Sequence, residues 1–173
     1  MLLFETPHGS RLYGTSHADS DHDSFRVMEK KHNARAHYAK QSISGDHDVL
    51  VMDLPTFLSY ASRGVPQVLE AMYSRVATVD IIAALREGFH PDIRLTFQTY
   101  RRTARHFMND GREKGKPKRE RHGYRIAINF ETLVATGRFN PTLTAEQILR
   151  MDALMADQVD VEDLINRAYS SLI

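Results

Sequence analysis

The sequence predicts an α+β fold, with a strand-rich first half followed by a helical second half. The run from Asp48 to Asp53, Asp-Val-Leu-Val-Met-Asp, is apolar and β-branched, which is typical of a buried strand. After about Ser74, apolar residues recur at spacings of three and four, the periodicity of helices that bury one face. We therefore expect a strand-bearing domain over residues 1–75 and a helical lobe over residues 76–173.

The composition is that of a protein with an ordinary packed core. The chain has 173 residues, of which 42% are hydrophobic. No apolar run approaches the ~20 residues of a membrane span, and the first residues lack the basic and apolar regions of a signal peptide. Cysteine is absent, which excludes disulfides and thiolate metal sites. We expect a cytoplasmic protein with no membrane partner.

Turn residues divide the first half into short elements. Residues 2–5 precede a Gly9-Ser10 turn, and Ser10 suits the N-cap of a short helix. Asp53 and Pro55 mark another helix start, because Asp caps helices and Pro tolerates the first turn. We expect strands over residues 2–5, 20–29, 36–44 and 48–53, and helices over residues 11–15, 55–63 and 67–73.

The second half is helical apart from one charged stretch. Asp110–Arg121 contains two glycines and a proline among its charges, so we expect a mobile loop or linker there. Thr144 and Gln147 have the spacing of a capping box, and Asp160 suits the N-cap of the last helix. We expect helices over residues 78–87, 93–109, 123–136, 148–155 and 160–171.

Charge is distributed unevenly in the helical half. Residues 101–125 hold ten Lys or Arg against three acids, whereas residues 141–173 hold six acids against two basic residues. One interpretation is a solvated basic loop and a solvated acidic helix. The alternative is that the basic segment meets the phosphate groups of a ligand.

The stretch from Gly9 to Asp23 combines two features that chemistry on phosphates needs. If residues 20–27 form a strand, Asp21 and Asp23 point the same way, with carboxylates about 6–7 Å apart that can clamp a divalent cation. The Gly9-Ser10 turn can offer backbone N–H groups to an anion. Together they suggest a site for a metal-bound nucleoside triphosphate.

Other interpretations of these acids fit less well. A calcium-binding EF-hand loop would need Gly where Ser24 stands and Glu where Lys30 stands. The pairs His22-Asp23 and His47-Asp48 would split their ligands between the two faces of a strand, which argues against a His-Asp metal site.

Asp48 is a candidate third acid because it begins the most apolar strand. A buried carboxylate is costly unless it is paired, hydrogen-bonded or metal-bound. Asp48 either lies just outside the strand in solvent or faces the Asp21 and Asp23 pair from a neighbouring strand. In the second case it could deprotonate an attacking hydroxyl and share a second metal ion.

The order Gly-Ser, a gap of about ten residues, Asp-x-Asp and a later strand acid resembles the nucleotidyltransferase superfamily related to DNA polymerase β. The sequence is more similar still to a group of predicted nucleotidyltransferases from bacteria and phages that is associated with RNA repair. That group shows Gly-Ser-x-x-x-Gly-Thr, Ser-Asp-x-Asp, Gly-x-Pro-x-x-x-Glu and a basic helical stretch ending in Thr-Gly. The matching positions are residues 9–15, 20–23 and 64–70, with Lys118, His122 and Arg125 before Thr136-Gly137.

The resemblance implies a small mixed β-sheet with flanking helices, followed by a C-terminal helical lobe, with the nucleotide between them. It implies a metal-dependent nucleotidyltransferase that moves a nucleoside monophosphate onto an unidentified acceptor hydroxyl. RNA and protein are the candidate acceptors, and the sequence does not separate them from a small metabolite. The implied catalytic residues and ligands of Mg²⁺ or Mn²⁺ are Asp21, Asp23 and Asp48. The expected contacts to the triphosphate, with ATP foremost, are Gly9, Ser10, Lys118, His122 and Arg125, and position adds Arg11.

Residue spacing gives a separate reason to group the basic positions. Lys118, His122 and Arg125 lie four and three residues apart, so they share one face if the helix reaches back to Lys118. The alternative function is a non-catalytic module that binds nucleotide or nucleic acid through the basic segment. A third is an antitoxin-type nucleotidyltransferase that modifies a partner protein.

Overall fold

The four strands of the described chain lie in its first half and form one mixed sheet. The computed structural model describes residues 1–18, 20–29, 39–44, 47–74 and 80–172. The strands stand in the order β1-β2-β4-β3, with β2 antiparallel to β1 and parallel to β4, and with β3 antiparallel to β4. Their bounds are β1 Leu2–Pro7, β2 His22–Met28, β3 Ala39–Ser44 and β4 His47–Asp53. The predicted α+β fold with a small mixed sheet is confirmed.

The register of the two central strands places the acidic positions. Parallel pairing sets Asp23 beside Asp48 and Phe25 beside Leu50. Side chains alternate along a strand, so these four share the face that carries the buried Phe25 ring. The strand expected from residue 20 begins instead at His22, so Asp21 precedes it and the alternation argument does not apply to Asp21.

Three short helices follow the strands of the first half. Asp53 caps α2 by accepting a hydrogen bond from the Thr56 N–H at 2.8 Å, as its position predicts. The expectation of Ser10 as an N-cap is wrong, because β1 runs directly into the helix and His8 takes the cap position. The bounds are α1 Gly9–Tyr13, α2 Leu54–Ser62 and α3 Pro66–Met72.

Five further helices lie within the described part of the second half. Thr144 and Gln147 form the predicted capping box, and Asp160 caps the last helix. The bounds are α4 Asp80–Gly88, α5 Ile93–Lys114, α6 Pro117–Thr136, α7 Ala145–Ala156 and α8 Val161–Ser170. The protein thus has the C-terminal helical lobe that the resemblance implied.

The expected mobile loop over residues 110–121 is wrong. Helix α5 continues to Lys114 and α6 begins at Pro117. Asp110 explains the difference, because its carboxylate forms ion pairs with Lys114 and with Arg119, the latter at 2.8 Å. Charges that look disruptive in the sequence are therefore neutralised across the turn between the two helices.

One hydrophobic cluster spans the sheet and the helices. Phe57 of α2 packs edge-on against Phe25 of β2 at 5.9 Å between ring centroids. The same cluster continues through Leu69 of α3 to Tyr100 of α5 and Phe130 of α6, all fully buried. Among the described helices, none is both long and apolar enough to cross a membrane.

Gly64 brings the turn between α2 and α3 against the start of α5. Its φ is +68°, and an added Cβ would lie 2.5 Å from the Thr96 Cα. We expect Gly64→Ala to lower the free energy of unfolding by about 2–4 kcal/mol, because it adds left-handed strain and a backbone clash. Chemical denaturation measures the change.

Gly88→Ala is the matched control for this substitution. An added Cβ there would meet no atom of the described residues within 4 Å, and Gly88 lies in a helix. We expect a change of at most about 1 kcal/mol. Equal denaturation midpoints for the two variants would contradict the prediction.

Candidate active site

Asp23 and Asp48 lie side by side on the central strands, next to the start of α1. The His8 N–H donates to the Asp23 carbonyl at 2.9 Å, which ties the turn after β1 to β2. Gly9 has a φ of +64°, and an added Cβ would lie 2.1 Å from the Asp23 Oδ2. The Gly-Ser turn and two of the three predicted acids therefore converge.

The two carboxylates share a crowded and partly desolvated environment. Asp48 Oδ2 accepts a hydrogen bond from Gln41 Nε2 at 2.6 Å. Asp48 Oδ1 is buried and has no hydrogen-bond partner among the residues that the structure describes. Burial raises the pKa of Asp23, and the adjacent Asp48 and Asp21 carboxylates add to the increase. A cation placed here would offset this excess of negative charge.

Asp21 is the most exposed of the three predicted acids. Its side chain is 58% exposed, and its Oδ2 lies 4.0 Å from Lys118 Nζ. Within the described ranges, no group of three or more His, Asp or Glu is arranged to hold a metal ion. The structure thus brings Asp23 and Asp48 together and leaves Asp21 at the rim, facing α6.

Arg11 shapes the segment that carries Asp21. Its guanidinium donates to the Ser20 carbonyl at 2.9 Å and to the Asp21 carbonyl at 3.2 Å, and lies 3.1 Å from His22 Nε2. Sequence reasoning assigned Arg11 to phosphate. In the structure its guanidinium links α1 to the approach to β2.

Helix α6 supplies the basic side of the site. It reaches back to Pro117, so Lys118, His122 and Arg125 share one face, as their spacing predicts. All three line a cavity of about 520 Å³ that also includes Ser10 and Asp21; we call it the basic cleft.

Arg125 is held by a buried acid 55 residues earlier in the chain. Its Nη1 donates to Glu70 Oε1 at 2.6 Å, and its guanidinium carbon lies 3.6 Å from the Tyr13 ring centroid. Tyr13 also donates to Glu70 Oε2, at 2.7 Å. The side chains of Glu70 and Arg125 are 0% and 5% exposed. In the sequence, the signal for this buried pair is an acid among the apolar residues of α3.

Two histidines lie close to this pair and lose basicity. Burial, reinforced by Arg125, lowers the pKa of His122 from 6.5 to about 4. Burial also lowers the pKa of His8, whose Nδ1 lies 3.9 Å from Glu70 Oε2. Both rings are therefore neutral near pH 7.

A second cavity, of about 560 Å³, lies on the acid side of α6. We call it the acidic cleft, and it is lined by Asp21, Asp23, Asp48, Ile43, His47, Gln67, Phe107, Lys118, Arg119 and His122. Asp21, Lys118 and His122 line both clefts, whereas Ser10 lines only the basic cleft and Asp48 only the acidic one. The two clefts therefore meet at the rim between the sheet and α6.

The basic segment is largely neutralised within the fold. Of the ten Lys or Arg in residues 101–125, eight have an acid within 4.0 Å among the described residues. The acidic C-terminal part supplies several partners: Glu162 binds Arg101 and Arg105, and Asp152 binds Arg121. These pairs reduce the support for a broad nucleic-acid-binding surface.

A comparison with protein families identifies the class of protein. The RNA repair pathway DNA polymerase beta family, RlaP, matches residues 1–169, and the chain belongs to this family. Membership indicates a nucleotidyltransferase-type function. A search of curated proteins gives no match.

The buried ionisable groups predict two steps in acid stability. Below pH 6.5 the unfolded chain takes up protons at His8 and His122 that the folded protein excludes, down to about pH 4 for His122, so stability falls as pH falls. Burial alone would raise the pKa of Glu70, but Arg125, His8 and the Tyr13 hydrogen bond hold it below 4.5. Stability is therefore lost further as pH falls below 4.5 and through the folded pKa of Glu70.

Two variants separate these steps in denaturant titrations across pH. His122→Gln should flatten the first window by up to about 3 kcal/mol. Glu70→Gln should flatten the second, and at neutral pH should cost about 3–5 kcal/mol because it leaves the Arg125 charge buried and unpaired. Unchanged pH slopes in both variants would contradict the assignment.

Proposed function

We propose that this protein is a metal-dependent nucleotidyltransferase. It transfers a nucleoside monophosphate from a nucleoside triphosphate, with ATP foremost, to an acceptor hydroxyl on RNA or a protein. The observation that carries the proposal is the pairing of Asp23 with Asp48 beside Gly9, across from the basic face of α6. The family's description as part of an RNA repair pathway supports RNA as the acceptor.

The donor set fits Mg²⁺ or Mn²⁺. Carboxylate oxygens are the ligands that these hard cations prefer, and Asp48 Oδ1 is a buried oxygen without a partner among the described residues. Asp23 and Asp48 would hold the ion, with Asp21 joining from the rim. Bound there, the metal would neutralise charge on the phosphates and on the entering and leaving oxygens.

The chain's own residues bind and orient the two substrates. Gly9 and Ser10 present backbone N–H groups to the triphosphate, and Lys118 adds positive charge from α6. His122 contacts the nucleotide as a neutral ring, and Arg125 faces it from a position fixed by Glu70. Arg11 acts mainly by holding the backbone around Asp21.

The reaction is an in-line displacement at the α-phosphorus. The acceptor oxygen forms a bond to the α-phosphorus, the bond to the bridging oxygen breaks, and pyrophosphate leaves. Asp48 takes the proton of the attacking hydroxyl. Most of the rate comes from positioning and charge neutralisation.

Label transfer from α-³²P triphosphates, with Mg²⁺ or Mn²⁺ and candidate acceptors, tests the proposal. We expect Asp23→Asn and Asp48→Asn each to lower the transfer rate about 10²–10⁴-fold, because each removes a charge or the base that the transition state needs. Asp157→Asn, an exposed position at the end of α7, is the matched control and should retain full activity.

A different pattern would favour the binding-module alternative. The enzymatic proposal would be overturned if the protein binds triphosphate but transfers no label to RNA or protein, and if Asp23→Asn and Asp48→Asn leave that binding unchanged. Binding of that kind through the basic segment would also weaken steeply with salt.

A further inference from the structure

We propose that the acidic cleft holds the 3′-terminal nucleotide of an RNA acceptor, with its base against Phe107 and its terminal hydroxyl at Asp48. This inference rests on the proposed function and deepens it, because it assigns the acceptor class and the acceptor's position. It adds a binding role for residues on α3, α5 and β3 that lie outside the catalytic pattern.

The two clefts divide the substrates by their chemistry. The basic cleft offers Ser10, Lys118 and Arg121 to phosphate groups. The ion pairs of Lys118 with Asp21 and of Arg121 with Asp152 are exposed and therefore weak, so phosphate can replace these acids. An acceptor hydroxyl has to reach Asp48, which lines the acidic cleft and not the basic one. Since Asp21, Lys118 and His122 line both clefts, substrates bound in the two clefts would meet at this rim.

The walls of the acidic cleft suit a flat ring. Phe107 is half-buried in its lining, with its ring centroid 5.5 Å from that of His122 and 5.9 Å from the Arg119 guanidinium. Aromatic side chains stack on nucleobases of any sequence, and each such stack contributes about 1–3 kcal/mol.

Two further side chains complete a nucleotide-sized site. Gln67 is exposed on α3 and lines the cleft, and its amide can both donate to and accept from the edge of a base. Ile43 on the edge strand β3 is 72% exposed, so it offers apolar surface at the same cavity. Apolar and amide groups beside an aromatic ring are typical of sites that recognise single-stranded RNA.

The charge pattern favours recognition of a terminal nucleotide over a long backbone. Arg119 is paired with Asp110 at 2.8 Å, and Lys118 lies 4.0 Å from Asp21. Because eight of the ten Lys or Arg of residues 101–125 are paired with acids, few cations of this segment are left to follow a chain of phosphates. Affinity for the acceptor must therefore come largely from the last nucleotide and its base.

Binding measurements test this site without relying on catalysis. The probes are two fluorescein-labelled single-stranded RNAs of the same length, one with a normal 3′-terminal nucleotide and one with an abasic 3′ terminus. By fluorescence anisotropy, the wild-type protein should bind the normal RNA about 5- to 150-fold more tightly, the range that one stacked base supplies.

Substitutions test whether the Phe107 ring is responsible for the tighter binding of the normal RNA. Phe107→Leu should abolish the preference for the normal RNA, and Phe107→Tyr should keep it. Phe97→Leu is the matched control, because Phe97 lies on the same helix but stacks on Tyr169 at 4.1 Å, outside the cleft. If Phe107→Leu does not fold, Gln67→Ala tests the site in its place, because Gln67 is exposed. This substitution should reduce the preference for the normal RNA over the abasic RNA several-fold.

Equal binding of the two RNAs by wild type, or an undiminished preference in folded Phe107→Leu or in Gln67→Ala, overturns the inference. Label transfer to a protein hydroxyl without any preference between the RNAs also overturns it, while leaving the proposed function intact. A preference that depends on Phe107, in a protein that transfers no label, supports the site and removes the nucleotidyl-transfer function instead.

Discussion

The ion pair between Glu70 and Arg125 holds the helical half against the strand-bearing half. Both side chains are almost completely buried, and Tyr13 lies against both of them. A buried pair of this kind contributes little by itself, but the loss of either partner leaves an uncompensated charge in the core. The pair therefore fixes the position of α6 relative to α1 and α3, and with it the distance across both clefts.

The acid pair depends on a different constraint, the parallel register of β2 and β4. Strands that are paired in parallel keep equivalent positions side by side, so Asp23 and Asp48 meet although 24 residues separate them. Asp23 and Asp48 lie near the starts of their strands, before Phe25 and Leu50 on the same face of the sheet. The two acids therefore lie at the edge of the packed face, where they line the acidic cleft. The site thus combines a rigid sheet with a helix that is held by core packing and by the buried Glu70–Arg125 pair.

The sequence was informative where local rules decide the structure. The apolar run of β4, the Asp53 cap and the Thr144 capping box follow from residue types at fixed spacing. Predictions from the sequence were wrong where residues far apart in the chain determine the structure. The charges of residues 110–121 look like a loop until Asp110 is seen between Lys114 and Arg119. The Glu70 partner of Arg125 lies 55 residues away, so spacing does not reveal it. Strand alternation does not apply to Asp21 because β2 begins at His22, one residue after it.

The pairing of basic residues with acids of the C-terminal part also limits the electric field outside the protein. A row of unpaired cations would attract polyanions over a distance set by ionic strength, and would speed their capture. Here that field is largely cancelled close to the surface, so a nucleotide should be captured by short-range contact rather than by steering. The association rate constant of the nucleotide should therefore depend only weakly on salt concentration. Stopped-flow measurements at several salt concentrations can determine this dependence.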